Sequence, residues 1–143
     1  MKKIFLFCLS IFLFYSSLAE AACTQNLITL SENIKMLTLE CNASATASFS
    51  ATPIDSGKIT ELMGWIGYEI RTSPGSVAPT TLYDIRLNDE WGIDLAGGTL
   101  ANRSASEPQK VTPWFTVSDP IVLTITGNSQ NYAQTVIKIF LSR

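Results

Sequence analysis

The sequence predicts an all-β fold, an antiparallel β-sandwich of jelly-roll-like form with about seven or eight strands. Three observations predict it. Short segments throughout the chain alternate apolar and polar residues with a period of two. Clusters of Gly, Pro, Asn, Asp and Ser separate those segments at strand-length intervals. The Cys, Trp, Cys spacing of immunoglobulin domains is missing, which selects the jelly-roll-like form over the immunoglobulin-like one. A chain of 143 residues, 46% of them hydrophobic, is enough for one such domain.

Taken in order, Leu27 to Leu30 is an apolar run of strand length, and Ser31 to Asn33 is a polar turn. Ile34 to Cys41 alternates, with Leu37, Leu39 and Cys41 on the inward face. Asn42 to Ser50 is small and polar, a loop or weak edge strand, and Pro53 to Gly57 punctuates the next connection. Ile59 to Trp65 has the look of a short helical turn, yet Ile66, Tyr68 and Ile70 alternate, so a strand is expected from about Met63 to Thr72. Gly64 and Gly67 within it signal a bulge or a close neighbour.

Ser73 to Ser106 reads as a central β-hairpin. Tyr83, Ile85 and Leu87 form its inward set, Asp84 and Arg86 its solvated one, Asn88 to Gly92 the turn, and Ile93 to Leu95 the return strand. Ala101 to Gln109 is a polar connection and Trp114 to Val117 a short apolar run. Ile121 to Thr126 and Ala133 to Leu141, joined by a turn at Gly127 to Asn131, are expected to pair as a hairpin. Apolar residues on both faces of the last strand imply that one face meets another sheet or another subunit.

Residues 1–21 have the parts of a secretory leader: Lys2 and Lys3, an apolar run from Ile4 to Tyr15, and an A-x-A site at Ala19 to Ala21. The run is too short to cross a hydrocarbon core of about 30 Å as a helix. Glu20 stands where a lipidation signal at Cys23 would want an apolar residue. With Cys8 removed in the leader, residues 22–143 form a single sandwich domain that retains Cys23 and Cys41. An even count in an exported chain favours a disulfide between them. Closing a loop of about 18 residues, it stabilises by about 3 kcal/mol through the unfolded chain. The expected location is periplasmic or extracellular, with no stable membrane insertion after cleavage.

Composition narrows function. Charged residues make up 15% of the chain and the net charge is −2, which offers no basic field for nucleic acid. There is no histidine, so Ser/His/Asp and Cys/His nucleophilic systems are excluded and catalysis would rest on carboxylates. Asp89, Glu90 and Asp94 crowd one turn and are candidate Ca²⁺ ligands or, less well, a glycosidase pair; their spacing fits no full calcium-loop motif, and a solvated turn is the simpler account. Trp65, Trp91, Trp114, Tyr68, Tyr83 and Tyr132 are candidates for stacking on sugar rings, although aromatics in alternating strands are usually core. Trp91, beside Glu90 at the turn itself, is hard to bury and is the best candidate recognition residue. Asn42 and Asn102 lie in N-x-S sequons. No cofactor is expected.

The stretch TSPGSVAPTTLYDIRLNDEWGIDLAGGTLANRSAS resembles a family of small β-rich proteins encoded among phage and prophage virion genes, in which a PG, AP, YDI, DE, NR pattern precedes a C-terminal hairpin. The similarity spans about Ile34 to Arg143 and carries no catalytic residue. It implies a non-enzymatic tail, neck, fibre or capsid-decoration protein whose partners are other protein subunits, including copies of itself. The leader, together with Cys23 and Cys41, departs from that pattern and fits a family fold reused for secretion. The alternative is an exported module binding glycan or another surface through Trp91, and the third reading is an exported hydrolase using Asp89 or Asp94.

Cleavage after Ala21 yields a mature chain starting at Ala22 with its two cysteines oxidised. Intact-mass measurement of the exported protein checks this; a retained leader or a lipid on Cys23 would contradict it.

Overall fold

A computed structural model describes residues 23–143. The leader, with Cys8 and the A-x-A site, lies outside the described residues. Those residues form nine strands and one helix: β1 (Cys23–Ser31), β2 (Ile34–Asn42), β3 (Thr52–Pro53), α1 (Ser56–Leu62), β4 (Ile66–Pro74), β5 (Asp84–Asn88), β6 (Gln109–Val111), β7 (Phe115–Thr116), β8 (Val122–Thr126) and β9 (Gln134–Ser142). All pairings are antiparallel. A six-stranded sheet runs β1-β2-β9-β4-β6, with β7 also on β4, and a three-stranded sheet runs β3-β8-β5. The fold is the antiparallel β-sandwich that the alternation implies.

The inward faces are those the period-two pattern assigns. Leu37, Leu39 and Cys41 of β2, Ile137, Ile139 and Leu141 of β9, Ile85 and Leu87 of β5, and Leu123 and Ile125 of β8 enter one buried cluster. Tyr83 is fully buried, and its hydroxyl meets Thr135 Oγ1 of β9 at 2.9 Å. That bond links the segment leading into the smaller sheet to the middle of the larger one. Cys23 and Cys41 are cross-strand partners of β1 and β2 and form the expected disulfide. Such a bond persists in an oxidising compartment. Among the described residues, no helix is long and apolar enough to cross a membrane.

Three expectations need correction. The strand expected from Met63 begins at Ile66 and is preceded by α1. Asp55 caps that helix, its carboxylate accepting from the amides of Gly57 and Lys58, while Ile59 and Leu62, three residues apart, reach the core. Gly67 is a close-neighbour site: a Cβ there would collide with the Phe115 ring, and the β4–β9 register shifts between Gly67 and Glu69.

Second, Ile121–Thr126 and Ala133–Leu141 do not pair. β8 lies between β3 and β5, whereas β9 lies between β2 and β4. The connection is pinned at the end of the sandwich by Asn128, whose Oδ1 accepts from the Thr80 amide and whose Nδ2 donates to the Ala47 carbonyl. Alternation fixes which side chains point inward and leaves open which sheet they point from. Third, Ile93 to Leu95 is no strand; a single bridge, Asn88 with Asp94, replaces the hairpin, and β5 pairs with β8.

Burial raises the Tyr83 phenol above its ordinary 10.0; the Thr135 hydrogen bond and the charge of Arg103 work in the opposite direction. A raised folded value makes Tyr83's contribution complete below pH 10.0 and lost as pH rises through the folded value. Tyr83→Phe is expected to cost about 1 kcal/mol at neutral pH. It is also expected to remove Tyr83's share of the alkaline loss of stability. Urea unfolding of both proteins on either side of pH 10.0 measures each effect.

Candidate functional site

The loop that follows β5 is built by side chains taking the place of a partner strand. Asp89 accepts on Oδ1 from the amides of Trp91 (2.9 Å) and Ile93 (2.8 Å). Asp94 accepts on Oδ1 from Leu87 (3.2 Å) and Ala96 (3.1 Å) and on Oδ2 from Gly98 (2.8 Å). Short acidic side chains bind nearby amides in this way wherever the chain leaves regular structure. Gly97 and Gly98, both at positive φ (59° and 79°), supply the curvature that brings the chain back around the Asp94 carboxylate.

The returning chain then runs along the free side of β5. Leu95 N donates to Leu87 O, Ile85 N to Leu100 O, and Arg103 N to Tyr83 O. Asn102, at φ 55°, gives its amide to Asp84 Oδ1. Arg103 is buried, and its guanidinium donates to the carbonyls of Thr99 and Ala101, closing the loop on itself. Burial lowers the Arg103 pKa, and Tyr83 and Asp84 act to raise it. The residues of the YDI and NR segments are thus the anchors of this loop.

At its tip the loop presents Trp91, 79% exposed, and Ile93, 62% exposed, with Glu90 exposed beside them. The backbone that carries both apolar side chains is the one held by Asp89. The backbone of the tip is thus ordered before any contact is made.

The other candidates are dispersed. Asp89, Glu90 and Asp94 share the loop, but Asp89 and Asp94 are turned onto amides; among the described residues, no three carboxylate, cysteine or histidine side chains gather to hold a metal ion. The aromatic set divides. Trp65 and Tyr83 are core, Tyr68 is half-buried, and Trp114 (74% exposed) and Tyr132 (55% exposed) stand on the surface, contrary to the core assignment. Trp114 was accessible to the period-two rule, because Pro113, Phe115 and Val117 around it are buried. Ile93 carried no signal of its role, and Arg103 carried none beyond its place in the NR pair; both roles arise from loop geometry. Both sequon asparagines, Asn42 and Asn102, are exposed.

No family model matches the chain, and no curated protein matches it. Among solved structures, it is similar to a cupin domain from Bordetella pertussis Tohama I, with 8% identity, a TM-score of 0.37, and coverage of 86% of this chain and 96% of that one. A likeness of that degree assigns no activity.

Asp94→Ala leaves three backbone amides without their acceptor and is expected to cost about 2 kcal/mol. Thermal or urea unfolding checks this; a change within a few tenths of a kcal/mol would show that the carboxylate does not hold the loop.

Proposed function

We propose that this chain is a non-enzymatic structural or interaction module, exported and oxidised, of the kind that the virion-accessory resemblance implies. The observation that carries the reading is the fixed apolar tip, Trp91 and Ile93 on a backbone held by Asp89 and Asp94. Those two carboxylates are the ones a hydrolase reading needs. Engaged with backbone amides, they serve as loop supports, which favours an interaction role over hydrolysis. The disulfide and the leader-like residues 1–21 support export.

A second reading rests on the same tip. An exposed indole beside a carboxylate, Trp91 next to Glu90, has the parts for stacking on a sugar ring and accepting hydrogen bonds from its hydroxyls. Under this reading the module binds a surface glycan.

Immunogold imaging of particles from producing cells, run beside a glycan array, tests both. The structural reading expects label on particles for the wild type and its loss in Trp91→Ala. Free protein with bare particles contradicts it. The glycan reading expects array binding that weakens by about tenfold or more in Trp91→Ala; full binding by the variant removes it.

A further inference from the structure

The outer face of the larger sheet carries a row of like charges. Ile70, Thr72, Ile137 and Ile139 are buried, so Arg71 of β4 and Lys138 of β9, which alternate with them, point outward. Register sets Arg71 directly opposite Lys138 on one side and directly opposite Lys110 of β6 on the other. Three exposed cations therefore stand on three adjacent strands, with about 4.8 Å from one strand to the next. The chain has 10 Lys and Arg against 12 Asp and Glu, so the row is a local concentration in an acidic protein.

Like charges directly opposite one another destabilise a sheet. Glu69 offsets part of that cost: its Oε1 accepts from Arg71 Nε at 2.6 Å, and its Oε2 lies 3.7 Å from Lys110 Nζ. One carboxylate thus serves two cations. Lys138 makes no ion pair among the described residues; Glu40, on the same face, stands opposite Val136 in the next row. Lys138 costs stability where it stands, and a local rule broken without a compensating gain marks a place that serves function.

Charge complementarity sets the partner. Cations spread over three strands cannot all meet one small anion, whereas a polymer with an anionic group on successive units meets each in turn. The row on the other side of the cations is apolar. Met36 is in register with Phe140, the Phe140 ring lies 6.5 Å from that of Tyr68, and the Arg71 guanidinium sits 4.9 Å from the Phe140 ring centre. Such a strip suits the C–H faces of sugar rings. A membrane surface, by contrast, takes up apolar side chains that reach into it, and Met36 and Phe140 are half-buried.

We propose that Lys138, Arg71 and Lys110 bind a linear acidic glycan, carboxylated or sulfated, lying across β9, β4 and β6. The site belongs to the opposite sheet from the loop that carries Trp91. It takes from the proposed function only the export that would bring the chain to such polymers, so either assignment can fail without the other.

The test is binding of the oxidised protein, produced from its full sequence, to immobilised polygalacturonate and dextran sulfate, with neutral dextran and phosphatidylglycerol vesicles as comparisons. Binding to at least one acidic glycan and not to neutral dextran is expected, weakening as salt rises. Combining Lys138→Gln with Lys110→Gln is expected to weaken it by about tenfold or more. Lys138→Gln alone should leave the thermal midpoint unchanged or raised, because it removes a like-charge contact. Trp91→Ala should leave the binding intact. No binding to either acidic glycan at low ionic strength overturns the proposal. So does binding that the double substitution retains in full, or a preference for the vesicles.

Discussion

The carboxylate of Asp94 is the point on which the central part of the molecule depends. It gathers amides from Leu87, inside β5, and from Ala96 and Gly98 beyond the turn, and so closes the chain into a loop where alternation alone predicts a hairpin. Once the loop is closed, its far limb lies along β5 and satisfies the backbone groups that a missing neighbour strand would otherwise leave bare. The smaller sheet can therefore stop at three strands. The buried Arg103, donating to Thr99 and Ala101, performs the same closing role at the other end of the limb.

Much of the fold is legible from residue order, and what is not legible has physical reasons. The inward sets of β2, β5 and β9 follow from period-two patterning, since a strand must bury one face. Cysteine count predicts the Cys23–Cys41 bridge, and the crowded contact of Gly67 with Phe115 agrees with a glycine inside a strand. Sheet membership is not encoded locally: β8 and β9 carry the same alternation whether they pair with each other or face one another across the core. The partition is set by long-range bonds such as those of Asn128, which joins residues far apart in sequence. The helix at Ser56–Leu62 is short enough that its pattern competes with that of the strand following it.

The site shows the same division. The exposure of Trp91 is readable because Glu90 and Gly92 flank it in a turn. The use of Asp89 and Asp94 is not, because a sequence lists a carboxylate without saying whether it faces solvent, a ligand or the backbone amides two to four residues away. Here backbone amides take both, and this turns a cluster that resembles a cation or catalytic site into the scaffold of a display loop. The larger sheet, by contrast, ends in the long, uncharged β1.

The central claim is that residues 89–103 form a fixed scaffold, and residue-resolved amide hydrogen exchange tests it most directly. The account predicts slowed exchange at Leu87, Trp91, Ile93, Ala96 and Gly98, whose amides are bound by Asp89 or Asp94, while the amide of exposed Glu90 exchanges freely. Exchange at the rate of an unstructured chain across Trp91 to Gly98 would contradict it.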